Sequence, residues 1–174
     1  MNELSTTRII VLSWLILPLL LVGCKESPQW AKAGPFYAVE KAPPGKAVVY
    51  VYWLRKKPGR ISQISVLPCK EFERQAVLPG GYTSFVVDPG PSCFQAEVSW
   101  DLPLEGASAI EDLGKAQISN EPGERFFFRI AQDEGPFLSH FGLQPVKPEI
   151  ADSEIRRCRR SIPLSFEEIA SRER

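Results

Sequence analysis

The chain has 174 residues, with 21 lysines and arginines balanced by 21 aspartates and glutamates and a single histidine. That length suffices for one domain with a real core, and the zero balance leaves no electrostatic footprint for nucleic acid or an acidic polymer. Sixteen prolines and twelve glycines, spread along the chain, argue for many short segments and against long helices.

The first eight residues are polar and contain one basic residue, Arg8. Residues 9–23, IIVLSWLILPLLLVG, carry no charge. At about 1.5 Å per residue this run is shorter than the ~30 Å hydrocarbon core that a comfortable spanning helix crosses, and Pro18 weakens a continuous helix. A basic start, a compact apolar stretch and small residues before a break describe a secretory signal. Leu21-Val22-Gly23-Cys24 resembles the lipobox of bacterial lipoproteins, in which cleavage leaves the cysteine as an acylated N-terminus. The resemblance implies a lipoprotein signal peptide over 1–23 and lipidation at Cys24, making the membrane a partner through that residue. Two or three acyl chains hold a protein stably at a bilayer, where one is marginal. The alternative is an ordinary cysteine closing an uncleaved anchor. Lys25 follows the cysteine, where an aspartate commonly retains such proteins at the inner membrane. By the same analogy the chain belongs in the cell envelope, on the outer membrane and facing the periplasm.

Residues 24–45 hold four prolines and two glycines without a sustained period and read as a lipid-anchored tether, with Trp30, Phe36 and Tyr37 docking on the domain. The domain, expected over 46–162, opens with KAVVYVYWLRK. There Ala47, Val49, Val51 and Trp53 point one way and Val48, Tyr50, Tyr52 and Leu54 the other. Both faces are apolar, which predicts a central strand covered on two sides. QISVLP, FERQAVL, YTSFVVD and CFQAEVSW follow as strands, the last with Phe94, Ala96, Val98 and Trp100 inward. KAQISN, RFFFRIA and FGLQPVK complete the set, and antiparallel hairpins stacked as a small β-sandwich are the economical fold. A helix is predicted in PEIADSEIRRCRRS, where Ile150, Ile155, Cys158 and Ile162 fall within an arc of about 140°, acidic at its start and basic at its finish. Pro163 bars its continuation. Residues 163–174 form a tail with a capping box at Ser165 and Glu168.

The order of these landmarks resembles a family of small bacterial lipoproteins with a domain of unknown function. The residues that carry the likeness are Gly45-Lys46-Ala47-Val48-Val49-Tyr50-Val51-Tyr52, then Gly81 to Gly90, then Pro122 to Arg129, with Cys158 in the closing helix. Pro68-Cys69-Lys70-Glu71 stands where the family has an Asp-Gly turn, and Ser92 where it often has a histidine. The resemblance implies the fold and the anchor, and brings no activity with it.

Chemistry is sparse. His140 lies in a turn between apolar residues, no G-x-S-x-G elbow occurs, and neither a P-loop nor a dinucleotide fingerprint is present. One histidine and widely spaced cysteines give no metal motif. Glu71 with Glu73, and Glu167 with Glu168, are adjacent carboxylates that read as solvated surface. No catalytic residue, metal or cofactor is expected. Two features suggest binding. Arg125, Phe127 and Arg129 share one strand face, where an aromatic between two guanidiniums could meet an acidic or aromatic group; equally, arginine stems could cover Phe127 on a solvated face. Arg156, Arg157, Arg159 and Arg160 form the polar side of the predicted helix, suited to lipid phosphate or simply to solubility. With Cys24 spent on lipid, an oxidising periplasm allows one disulfide among Cys69, Cys93 and Cys158. Strand alternation brings Cys69 and Cys93 to the same end of the sheet; a bridge from either to Cys158 is the alternative. The expected role is a binding or structural and assembly module with a protein or envelope-component partner, no nucleic acid and no enzymatic activity. The alternatives are an envelope-polymer hydrolase and an accessory subunit of a secretion or envelope complex.

Overall fold

The strand predicted to be covered on both sides, β2 (Ala47–Tyr52), is buried along its whole length in the computed structural model, which describes residues 31–38, 41–54, 61, 63–69, 74–101, 108–134, 139–165 and 168. Around it run β1 (Ala31–Phe36), β3 (Ile64–Pro68), β4 (Gln75–Val77), β5 (Gly81–Val87), β6 (Gly90–Asp101), β7 (Ser108–Asn120), β8 (Arg125–Glu134), β9 (Ser139–Val146) and β10 (Arg159–Pro163), with the helix α1 (Pro148–Ile155) before the last strand. Six strands form one sheet in the order β1-β10-β5-β2-β8-β9, and four form the other in the order β4-β3-β6-β7. The result is a small β-sandwich with a short C-terminal helix.

The alternation in β2 sorts its side chains between two apolar layers. Val49, Val51 and, just beyond the strand, Trp53 enter the space between the sheets, meeting Ile64, Val66, Phe94, Ala96, Val98 and Phe128. Val48, Tyr50 and Tyr52 face the other way, into a second cluster with Tyr37, Tyr82, Phe127, Ala151, Ile155 and Cys158. The six-stranded sheet is therefore the middle of three layers, and a strand in that position must be apolar on both parities. Within β6, of the four residues predicted inward, Phe94, Ala96 and Val98 are buried, and the side chain of Trp100 lies outside the described set. Its partner β7 carries one extra residue: the register jumps from Gln95↔Lys115 to Glu97↔Asp112, placing Leu113 and Gly114 opposite Ala96.

Four features depart from the sequence expectation. First, pairing is not wholly antiparallel. β2 runs parallel to β8 and β10 parallel to β5, because the chain crosses to the second sheet between β5 and β8 and passes through the helix before β10. Second, Ala31–Phe36, assigned above to the tether, is strand β1. It pairs antiparallel with β10, and Tyr37 is in the second cluster. Gly34 makes this possible: a Cβ there would lie 2.5 Å from Ile162 Cδ1 and 3.1 Å from the Arg160 carbonyl oxygen. Third, the helix stops at Ile155. Arg156 and Arg157 form a turn, and Arg159 begins a strand. The expected arc fails with it, since Ile150 is 51% exposed. Fourth, β10 lies close against β5 at Gly81, where a Cβ would meet Ser161 Oγ at 2.5 Å. That long-range contact, with Arg159 N donating to the Gly80 carbonyl at 2.9 Å, outweighs a helical continuation.

The capping box is present. Glu168 N donates to Ser165 Oγ at 3.3 Å, and Ser165 N donates to Glu168 Oε2 at 3.0 Å. Lys32 Nζ reaches Glu168 Oε1 at 2.6 Å, tying the tail to β1. The Lys32 hydrogen bond and the capping contacts hold the Glu168 carboxyl down at about 2.

Candidate functional site

The face carrying Arg125, Phe127 and Arg129 is where the structure differs most from an open binding surface. Parity on β8 does put these three together, but α1 lies across them. Phe127 is 2% exposed and stacks on Tyr50 with ring centroids 5.2 Å apart. Tyr37 stands edge-on to both Tyr50 and Tyr82 at 5.4 Å. Arg125 lies 5.8 Å from the Phe127 ring centroid and pairs with Asp152 of the helix at 3.6 Å. Arg129 NH1 donates to Glu154 Oε1 at 2.9 Å and its NH2 to Gln144 Oε1 at 2.8 Å. The two guanidiniums thus clamp the helix to the sheet and do not frame a docking site for a partner's aromatic. Asp152 and Glu154, which the sequence offered only as dipole complements, are the residues that sequence reasoning missed.

A helix of eight residues has little stability of its own. Its hold comes from Ala151 and Ile155 in the aromatic cluster and from this polar fringe. Tyr52 completes the fringe by donating its hydroxyl to Glu154 Oε2 at 2.5 Å. Burial, reinforced by Glu154, raises the Tyr52 phenol far above its ordinary 10.0. Burial also raises Tyr37, with Asp152 adding to it and Arg125 opposing, and pushes the Cys158 thiol from 9.0 up to about 11. The sign follows directly. The native state keeps protons that the unfolded chain gives up, from pH 9 upward at Cys158 and from pH 10 upward at the tyrosines. Stability therefore falls as pH rises through this range. Tyr52→Phe removes one of those groups, so the slope of unfolding free energy between pH 10 and 11 should become shallower by about 1 kcal/mol per pH unit. At neutral pH the variant should lose about 2 kcal/mol with the charge-assisted hydrogen bond. Urea titrations at a series of pH values read both quantities; an unchanged alkaline slope would count against the buried phenol.

The cysteines sort as the first of the two pairings anticipated. Cys69 and Cys93 are bridged, and Cys158 is free and buried. The expected route differs, however. Cys69 and Cys93 meet because β3 and β6 are antiparallel neighbours in one sheet, with Pro68 opposite Phe94 and Cys69 N donating to the Cys93 carbonyl at 2.9 Å. β5, through which the chain was expected to return, belongs to the other sheet.

Arg156 and Arg157 are exposed, on the turn between α1 and β10 and not on a helix face. The backbone of His140 lies in β9, opposite Asp133. Cys24, Glu71, Glu73 and Glu167 lie outside the described residues. Among the described residues no group of three or more histidines, cysteines or carboxylates could hold a metal ion. One concavity of about 640 Å³ lies where β7, the start of β8 and the end of β9 meet, lined by Ile118, Phe126, Pro145 and Val146 with Arg125 and Lys147 among its charged residues. It is apolar with a few polar groups, the composition of a small-ligand or side-chain groove.

Comparison with protein-family models, with curated proteins and with solved structures finds no match to this chain.

Proposed function

We propose that this chain is a lipid-anchored envelope protein of the small-lipoprotein type described above, held by acylated Cys24 on the outer membrane. In this reading its periplasm-facing β-domain is a binding or structural module and not an enzyme. The observation that carries this reading is Leu21-Val22-Gly23-Cys24 at the end of an uncharged run that begins at Ile9. The Cys69–Cys93 bridge supports it, because disulfides persist in oxidising compartments such as the periplasm. The groove at Ile118, Phe126 and Pro145 supports the binding part, offering apolar walls, with Glu124, Arg125 and Lys147 also in its lining, to an apolar segment of a protein or envelope component.

Cells expressing the chain and fed labelled palmitate provide the test. The expected product carries label and fractionates with membranes. Globomycin or Cys24→Ala should abolish processing, retain the signal and retard the band on a gel, and Cys24→Ala should also end labelling. An unlabelled product that begins at Met1 and behaves identically in the variant would remove the anchor, and the compartment with it.

A further inference from the structure

We infer that the end of the β1–β10 ribbon carrying Phe36, Arg156, Arg157 and Arg159 is a membrane-docking face that rests on anionic phospholipid headgroups, an inference that builds on the lipid anchor proposed above. Three observations converge there.

The first is an exposed aromatic beside a cation. Phe36 is 55% exposed, Arg159 stands opposite it in the ladder, and the Arg159 guanidinium lies over its ring at 4.5 Å from the centroid. An aromatic body with an adjacent cation suits the boundary between headgroup and acyl chain.

The second is concentrated charge. Arg156, Arg157 and Arg159 are all exposed, and the turn that bears them is pinned to the end of β1 by Tyr37 N donating to the Cys158 carbonyl at 3.1 Å. Two carboxylates of the preceding helix are already committed, Asp152 to Arg125 and Glu154 to Arg129. Trp53 and Gly80 join the same end through Gly80 N donating to the Trp53 carbonyl at 2.9 Å. A chain with no net charge thus presents Arg156, Arg157 and Arg159 together at one end, and a negative surface is the complementary partner.

The third is reach. Only residues 25–30 separate Cys24 from Ala31, a distance of at most about 25 Å when extended. β1 itself covers about 17 Å from Ala31 to Phe36. The tether is long enough for the Phe36 end to meet the bilayer that holds the acyl chains and short enough to keep the domain beside it.

Docking then fixes how the domain stands on the membrane and leaves the groove at Ile118 and Pro145 free for a partner. The test separates this face from the anchor. The chain carrying Cys24→Ala is exported behind an ordinary cleavable signal, which leaves every described contact from Ala31 to Glu168 in place. Its sedimentation is measured with vesicles of phosphatidylethanolamine containing phosphatidylglycerol, and with phosphatidylcholine vesicles, at low and high salt. Each cation held at an anionic surface is worth about fivefold in partitioning. R156E/R157E should therefore lower binding to the anionic vesicles by about twenty-five-fold or more, whereas K41E/K115E, an equal charge change elsewhere, should leave it nearly intact. Phe36→Ala should weaken it further without affecting the fold. Absence of binding at low salt, equal binding to phosphatidylcholine, or equal losses in the two double variants would each overturn the docking face. Palmitate labelling of the unmodified chain reports on the anchor independently.

Discussion

Replacing Phe127 with alanine should lower the free energy of unfolding by about 4 kcal/mol. The ring is 2% exposed, lies flat against Tyr50 at an interplanar angle of 13° and packs in the same cluster as Ala151 and Ile155. Its removal leaves a cavity between two rigid layers and weakens the packing that holds the helix above it, which has little stability of its own. On an open sheet face the same substitution would change stability by about 0.5 kcal/mol or less. The two arrangements thus differ several-fold in one measurement, a urea titration with the disulfide intact, in which the midpoint shifts and the slope does not. Phe127→Leu, which retains most of the volume, should lose roughly half as much. A loss below about 1 kcal/mol for Phe127→Ala would mean that α1 does not rest on β8.

The same variant tests whether the helix can release on its own. Its sheet-side contacts are the aromatic cluster and the pairs Arg125–Asp152 and Arg129–Glu154, and partly exposed pairs of this kind contribute about 1 kcal/mol or less each. With Phe127 gone, local opening of α1 becomes easier than global unfolding. Trypsin should then cut first at Arg156 or Arg157, already exposed at the helix end.

The contrast between β2 and β8 shows how far the residues could be read in advance. In β2 both parities are apolar, so periodicity alone required a cover on each side, and both covers exist. In β8, Arg125, Phe127 and Arg129 do share a face, as alternation requires, but alternation says nothing about what lies on it. The covering carboxylates come from residues 152 and 154, more than twenty positions away, and no local pattern joins a strand spacing of four to a helix spacing of two. β10 was hidden for a related reason. Cys158 and Ile162 continue a helical arc from Ile155, and the strand that begins directly after Cys158 and holds Ile162 owes its existence to β5 and β1, both remote. β1 was hidden by its composition: Ala31-Lys32-Ala33-Gly34-Pro35-Phe36 has no period, and Gly34 is required by the close approach of Ile162. The disulfide, by contrast, was legible, because alternating strands return the chain to the same end whichever sheet each joins.

Removal of that disulfide is expected to cost about 3 kcal/mol, the loop-closure value for a sequence separation of 24. The native state should hardly notice its loss. Cys69 and Cys93 are only half-buried, so C69A/C93A opens little cavity, and the antiparallel pairing of Pro68 with Phe94 still holds the two strand ends together. What changes is the unfolded chain, which regains the freedom of the loop containing β4 and β5. The loop matters because β4 is only three residues long and is held at the border of the two sheets by Gln75 accepting from Thr83 and by Leu78 N donating to Ser161 Oγ. Against a typical domain stability of about 5–15 kcal/mol, such a loss is a large fraction, and a chain retained in a reducing compartment would bear it in full. Urea titration of the double variant should show an earlier midpoint while the far-ultraviolet circular dichroism of the folded form stays unchanged. The single variant Cys69→Ala should behave alike and should not recruit Cys158, which is buried on the opposite side of the central sheet. A Cys93–Cys158 bridge found by mass mapping under non-reducing conditions would mean that the layer order assigned to these strands is wrong, and a loss under about 1 kcal/mol would count against the loop-closure account of the bridge.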